Sequence, residues 1–482
     1  MSENTPTRLD AVALDRSIAA SRVGRSFEPA PVRIAHIGLG AFHRAHQAWY
    51  TDATDPTNEW GIRAFTGRSA KAAETLAAQD GLYTLVERSV DGDAVSVVDS
   101  IVDAVDGARV DRLVDTLSAS GVAIVTLTIT EGGYAVDAEH RPDLTRQDVA
   151  ADLSWLRTHL GDASLDLSDP PRTALARLLV GLEGRRRSGA GTLSVVSCDN
   201  LPGNGQVTRT ALLALAEMAG ATETGAYLEE EITFISSSVD RITPKTTPED
   251  VAFVRSATGW IDRTPVVTEP FHDWVLSGDF RAGRPAWERA GARFVDDVER
   301  FERRKLWMLN GAHSLLAYAG VARAHSTVAQ AVGDQTVRAW VDAFWAEAAR
   351  HLDGADLELD SYRAALLERF DNGRIQHLLA QIGEDGTTKL RVRIAPVLLA
   401  ERDAGRDAEA CVLVLGAWVA LTRHGRLPAD RVGPALQEAA ALPSERAIVA
   451  LLNLVDPRLV ADPAIVAAVS RAAAEFSNSL TA

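Results

Sequence analysis

The sequence predicts an α/β domain followed by a mostly α-helical one, and three observations lead there. Buried runs rich in β-branched residues alternate with helical stretches in the N-terminal part, the signature of a mostly parallel sheet. From about residue 294 onward, helical periodicities with little strand character take over, punctuated by Asp-Gly and Gly-Arg turns. The chain has 482 residues, more than a single hydrophobic core sustains, and 46% of them are hydrophobic, enough for two cores. The expected division is therefore 1–293 and 294–482.

Taken in order, Met1 to Ala30 is polar and charged without an apolar signal core, and reads as a disordered lead. Val32–Ile37 reads as a buried strand running straight into Gly38-Leu-Gly40-Ala41-Phe42-His43-Arg44. Strand, glycine turn and helix in that order form the context of a dinucleotide-binding turn. Gly38 would make the tight turn, and Gly40 would let the backbone approach a pyrophosphate. Ile37, Gly38, Gly40, Ala41, Phe42 and Arg44 are the candidate contacts. The third glycine of the fingerprint is absent, with His43 in its place, and an ordinary strand-to-helix turn is the alternative. Further strands are expected at Trp60–Phe65, Val122–Ile129 and Thr192–Ser197. Two of them end in polar clusters, Thr130–Tyr134 and Cys198–Asn204, where ligands of open α/β sheets bind.

A net charge of −16 and a pI near 5.2 argue against a nucleic-acid or anionic-membrane surface and for a small-molecule partner. Two cysteines far apart, Cys198 and Cys411, suggest neither a disulfide framework nor a thiolate metal site, so no metal is expected and a reducing cytoplasm fits. No run of about eighteen apolar residues suggests a membrane span.

Lysine is scarce. Of 50 Lys+Arg, only positions 71, 245, 305 and 389 are lysine. Arginine serves wherever a permanent charge is needed, but its guanidinium does not release a proton, whereas a desolvated lysine does. Lys305, inside Glu302-Arg-Arg-Lys-Leu-Trp-Met-Leu-Asn-Gly-Ala-His-Ser314, therefore suggests proton chemistry. On an α-helix, Asn310 would lie about 140° and His313 about 80° around from Lys305, so the three would share one broad sector. The alternative is a solvated lysine, an amide near a helix end and a core histidine.

Four ordered stretches, Gly38–His46, Ser197–Gly205, Ser238–Pro244 and Lys305–His313, resemble the polyol-specific long-chain dehydrogenases. That family includes mannitol 2-dehydrogenase, fructuronate reductase, tagaturonate reductase and arabinitol dehydrogenase. Glu269–Trp274, Gly283–Trp287 and Arg369–Asn372 extend the likeness. The resemblance implies a Rossmann-type N-terminal domain and metal-independent hydride transfer between a nicotinamide cofactor and a sugar-derived ketone or secondary alcohol. It implies Lys305 as acid/base, Asn200 and Asn310 as donors to the developing alkoxide, and His313 and Asp240 as ligands of substrate hydroxyls. A salt bridge to Arg241 is the alternative role of Asp240. The implied site sits in the cleft between the domains.

Two departures matter. The stretch after the second strand, Ala64-Phe-Thr-Gly-Arg68-Ser-Ala-Lys71, has no carboxylate for the ribose hydroxyls, and Arg68, Ser69 and Lys71 would suit the 2′-phosphate of NADP, the alternative being the solvated start of a helix. NAD remains the expected cofactor on family grounds, with NADP possible. In Gln381–Lys389 the glutamine and the Asp-Gly-xx-Lys pattern look more like fructuronate reductases, with Lys389, Arg391 or Arg393 available to a uronate carboxylate, a structural role for these cations being the alternative. The expectation is a reductase of a sugar acid, D-fructuronate to D-mannonate, in a monomer or small homo-oligomer. The rivals are mannitol 2-dehydrogenase or a related polyol dehydrogenase, and a nicotinamide-binding sensor without turnover.

Overall fold

The computed structural model describes residues 11–23, 27–67, 69–162, 165–375 and 377–481. Its contacts divide into two compact units, Met1–Val298 and Glu299–Ala482. The first is built on an eight-stranded sheet whose strands we number in chain order: β1 Val32–Ile37, β2 Gly61–Phe65, β3 Ile101–Val105, β4 Ile124–Leu127, β5 Leu193–Ser197, β6 Ile232–Asp240, β7 Asp273–Ser277 and β8 Arg293–Phe294. Across the sheet the order is 8-7-6-5-4-1-2-3. Strands β3 to β6 are mutually parallel through β2, β1, β4 and β5, and β7 runs antiparallel to β6.

The segment 3-2-1-4-5-6 is the strand order of the doubly wound dinucleotide-binding fold, and its direction of winding reverses between β1 and β4. Both faces of the sheet are covered, which explains why the strands lack polar alternation. Ala35, Ile37, Val125 and Leu127 face one core with Leu113, Leu179 and Leu212 of flanking helices, while Ile34, Ile62, Ala64 and Ile124 face another with Tyr83, Trp274 and Trp287. The α/β class expected from the sequence is the one found.

Three differences have physical reasons. Strands β3 and β6 do not stand out in the sequence, because Asp103, Ser236 to Ser238 and Asp240 break their apolar runs. The N-terminal lead is not disordered over its described part. Val12–Ala13 pairs with Trp260–Ile261, and the helix Arg16–Val23 is tied down by the Arg16 guanidinium, which donates to the carbonyls of Phe27 (2.6 Å) and Asp99 (3.0 Å). A separate hairpin, Tyr83–Ser89 with Gly92–Val98, pairs with Val266–Thr268.

In the second unit, the helix Glu409–Arg423 is apolar on nearly every side and runs through the core, as such helices do. It lies so close to the helix Pro463–Thr481 that a Cβ on Gly416 would stand 2.5 Å from that of Ala472. No named strand occurs among its described residues.

Candidate active site

The turn after β1 is built as the fingerprint requires. Gly38 has φ +113°, a region L residues rarely adopt, and a Cβ there would lie 2.1 Å from the Thr128 carbonyl oxygen at the end of β4. Gly40 is extended, with only the Gly38 oxygen (3.6 Å) near its would-be Cβ, so space lies over it. Ile37 is buried at the end of β1 and accepts the Thr128 N–H at 3.0 Å, while Ala41 and Phe42 are half-buried in the following turn of helix.

Arg44 faces inward. Its guanidinium donates to the carbonyl of Gly40 (3.2 Å) and to Thr264, bracing the turn from below. His43, in place of the third glycine, stacks flat on His36 of β1 with ring centroids 3.3 Å apart, so an imidazole face provides the close helix–strand packing that glycine usually allows. Burial holds His36 neutral, its pKa lowered to about 3. Arg68 lies outside the described residues.

The loops beyond β4 and β5 are clamped together by Asp199. Its carboxylate accepts the N–H groups of Ile129 (3.0 Å) and Thr130 (2.8 Å) and the Tyr134 hydroxyl (3.0 Å). Burial pushes this carboxyl above its ordinary range, and those three donors oppose the shift. Thr130 is held at φ +64°, ψ 158°, a strained conformation nearly exclusive to glycine and persistent only where its surroundings over-determine it. Fully buried Asn204 donates to the carbonyls of Asp199 (2.9 Å) and Ser237 (2.7 Å) and accepts the Ser237 N–H, fixing the same loop to β6. Asn200 is exposed between these two anchors. Asp240 is buried at the end of β6, and its neighbour Arg241 is engaged by Glu87 and by the carbonyls of Ala45 and Glu269.

In the second unit, the helix carrying Lys305 departs from expectation. Glu299–Arg304 is α-helical, Lys305–Asn310 is a π-turn, and Gly311–Leu315 is α-helical again. The 100° step of an α-helix therefore does not apply between Lys305 and Asn310. Five residues is the hydrogen-bonding period of a π-helix, so Asn310 stands one turn along from Lys305 on the same face. The sequence shows no breaker here, and the wide turn was not legible in it.

His313 follows one α-turn later. It is nine-tenths buried, and its Nε2 has no hydrogen-bond partner among the described residues. Burial first, then His377, Arg369, Arg393 and Lys389, push its pKa well below the ordinary range. Its ring is neutral, with one donor and one acceptor nitrogen, which suits a hydroxyl. The His377 ring stands edge-on at 4.8 Å and Phe370 at 5.0 Å. Lys389 donates to the Ile382 carbonyl at 2.9 Å, and burial lowers its pKa, with Arg393 adding to the effect. Sequence reading missed Asp199, Asn204, Arg369 and His377 as parts of these clusters. Asp199 and Asn204 lay in the stretch Ser197–Gly205 and Arg369 in Arg369–Asn372, whereas His377 lay in no such stretch. Among the described residues no three or more His, Cys, Asp or Glu converge as a metal site.

Two family models match the chain, the mannitol dehydrogenase Rossmann domain over residues 32–289 and the mannitol dehydrogenase C-terminal domain over residues 297–476. The chain belongs to the mannitol dehydrogenase family. As an oxidoreductase of that family, it is 34% identical to the D-mannonate oxidoreductase of Escherichia coli over 85% of this chain and 84% of the relative. It is 36% identical to the D-arabinitol 4-dehydrogenase of Ralstonia nicotianae, over 81% and 82%. Among solved structures, the Pseudomonas fluorescens mannitol 2-dehydrogenase complex with NAD and D-mannitol matches at 32% identity with a TM-score of 0.77, covering 95% of both chains. The mannitol dehydrogenase family thus joins relatives named for a sugar acid and for polyols at similar identity. No helix among the described residues is long and apolar enough to cross a membrane.

Proposed function

We propose that this chain transfers hydride between NAD(H) and the ketone or secondary alcohol of a sugar acid, D-fructuronate and D-mannonate being the expected pair. The observation that carries the sugar-acid reading is the charge around His313. The charged groups that act on it, Arg369, Arg393 and Lys389, are cations, beside a buried imidazole nitrogen with no hydrogen-bond partner among the described residues. A neutral polyol has no use for such a field, whereas a uronate carboxylate is bound by it.

The turn at Gly38 and Gly40, with the open space over Gly40, fits a dinucleotide pyrophosphate. The nicotinamide, when bound, supplies or accepts the hydride. Lys305 gives the proton that the nascent alkoxide needs, or takes it in the reverse direction. Asn200 and Asn310 donate neutral amide hydrogen bonds to the same oxygen, each worth roughly 2.7–4 kcal/mol by analogy with other oxyanion sites. His313 and Asp240 orient the remaining hydroxyls, and Lys389 pairs with the carboxylate.

A panel of D-fructuronate, D-tagaturonate, D-fructose and D-arabinitol, with NAD and NADP in matched forms, tests the reading through absorbance of the reduced nicotinamide. The expected outcome is highest kcat/KM on fructuronate with NADH. Preference for fructose or arabinitol would replace the sugar-acid reading with a polyol dehydrogenase. No turnover on any member would favour a cofactor-binding sensor.

Lys389→Gln keeps a polar side chain one atom shorter but removes the charge. One charge-assisted hydrogen bond contributes roughly 1.5–3 kcal/mol, so KM for the ketouronate should rise about ten- to a hundredfold while turnover of fructose stays near wild type. Equal losses on both substrates would show that Lys389 serves the fold through the Ile382 carbonyl instead.

A further inference from the structure

A π-turn is rarer than an α-turn and persists where its surroundings hold it. In this helix the surroundings are specific. The Gly311 N–H is shared between the carbonyl of Leu306, five residues back, and that of Met308, three back. The Met308 carbonyl also accepts the indole N–H of Trp345 at 2.8 Å. The Asn310 carbonyl accepts the Ser314 hydroxyl at 3.2 Å and the Arg393 guanidinium at 3.3 Å, and Arg393 reaches the Ser314 oxygen at the same distance. In a regular α-helix the Leu306 carbonyl would meet the amide of Asn310, one residue nearer, so its contact with the Gly311 N–H marks the wide turn. Gly311 completes the arrangement, because a Cβ there would lie 2.5 Å from the Phe344 ring, and the turn rests directly on the helix Gln335–Ala349.

We propose that Trp345 and Ser314, with Arg393, are positioning residues that hold the helix in its five-residue register and thereby set Lys305 and Asn310 on one face. The inference rests on the role given to Lys305 above. Trp345 is fully buried, so it touches no substrate and acts on the reaction only through the helix. In an α register Asn310 would stand about 140° around from Lys305, at the far edge of the broad sector expected from the sequence, rather than one turn along on its face, which moves the amide away from the proton donor.

The test compares Trp345→Phe, which keeps the ring and loses the N–H, and Ser314→Ala with Lys305→Ala, using the full chain and the best substrate of the panel. Misplacement of a reacting group by about 1 Å costs on the order of a hundredfold. Trp345→Phe should therefore lower kcat about ten- to a hundredfold and move the limb of its pH profile, with KM for NADH unchanged. Ser314→Ala should act in the same direction by about three- to tenfold, since it removes the weaker support. If both variants melt earlier but keep wild-type kcat and pH profile, the two side chains only pack, and the proposal is overturned. Should Trp345→Phe fail to fold, Ser314→Ala decides by the same readouts. An inactive Lys305→Ala beside unchanged Trp345→Phe and Ser314→Ala overturns the positioning inference alone. An active Lys305→Ala removes the proton-transfer reading as well.

Discussion

Lys305→Ala is expected to lower kcat by about 10²- to 10⁴-fold in both directions while leaving the Kd for NADH near wild type. A positioned general acid or base contributes a factor of that size, and the lysine handles the substrate's proton rather than the dinucleotide. The role requires a side chain that releases and regains its proton, which a desolvated lysine does and a guanidinium does not. Lys305→Arg should consequently be almost as inactive, although the charge is kept. In the structure Lys305 is half-buried at the first position of the π-turn. The longer, forked arginine would fit that place only as a permanent cation. Stopped-flow or steady-state absorbance of NADH, with fluorescence titration for binding, checks both variants. Substantial turnover by Lys305→Arg near neutral pH would falsify the proton-transfer role.

How much of this was legible from the residues differs between the two units. The central strands were, because burial on both faces leaves continuous apolar runs such as Leu193–Ser197, and the glycine turn declared itself through Gly38 and Gly40. The edge of the sheet was not. Ser236 to Ser238 and Asp240 in β6 are buried polar residues whose partners come from distant segments, as when the Ser237 hydroxyl donates to the Ser197 carbonyl at 2.6 Å. No local pattern encodes such a contact.

The same reason hides much of the candidate site. Lys305 stood out by its rarity, and Asn310 and His313 by their spacing from it. Their spatial relation depends on a π-turn maintained by Trp345, some forty residues away, and by Arg393, farther still. Asp199 looked like one more polar residue in a loop. Its function as the clamp between two strand ends appears only when Ile129, Thr130 and Tyr134 are brought to it. Sequence therefore names groups that react more readily than groups that hold them in place.

Gly38→Ala and Gly40→Ala, two residues apart, should have opposite consequences, and the contrast separates folding from cofactor binding. At Gly38 the φ of +113° is unfavourable for alanine, and the added Cβ would stand 2.1 Å from the Thr128 oxygen and 2.7 Å from its carbon. Those are backbone atoms of the next strand's end, held by the Thr128 N–H to Ile37 and by the Thr128 hydroxyl to the Gly38 carbonyl at 2.9 Å, so they do not move aside cheaply. Relieving the clash means parting β1 from β4 at the point where the winding reverses. A loss on the order of 4 kcal/mol is expected, a large share of the roughly 5–15 kcal/mol that holds a typical fold. Gly38→Ala should therefore show a much lower Tm and no measurable NADH binding. Gly40 is extended, and its would-be Cβ meets nothing closer than 3.6 Å, so Gly40→Ala should melt like wild type. Its methyl group instead occupies the space assigned to the pyrophosphate, and the Kd for NADH should rise by about tenfold or more, equivalent to roughly 1.4 kcal/mol. Thermal unfolding and NADH fluorescence titration on the two variants decide the matter. Wild-type NADH affinity in Gly40→Ala would mean that the phosphates lie elsewhere, whatever Gly38→Ala does to the fold.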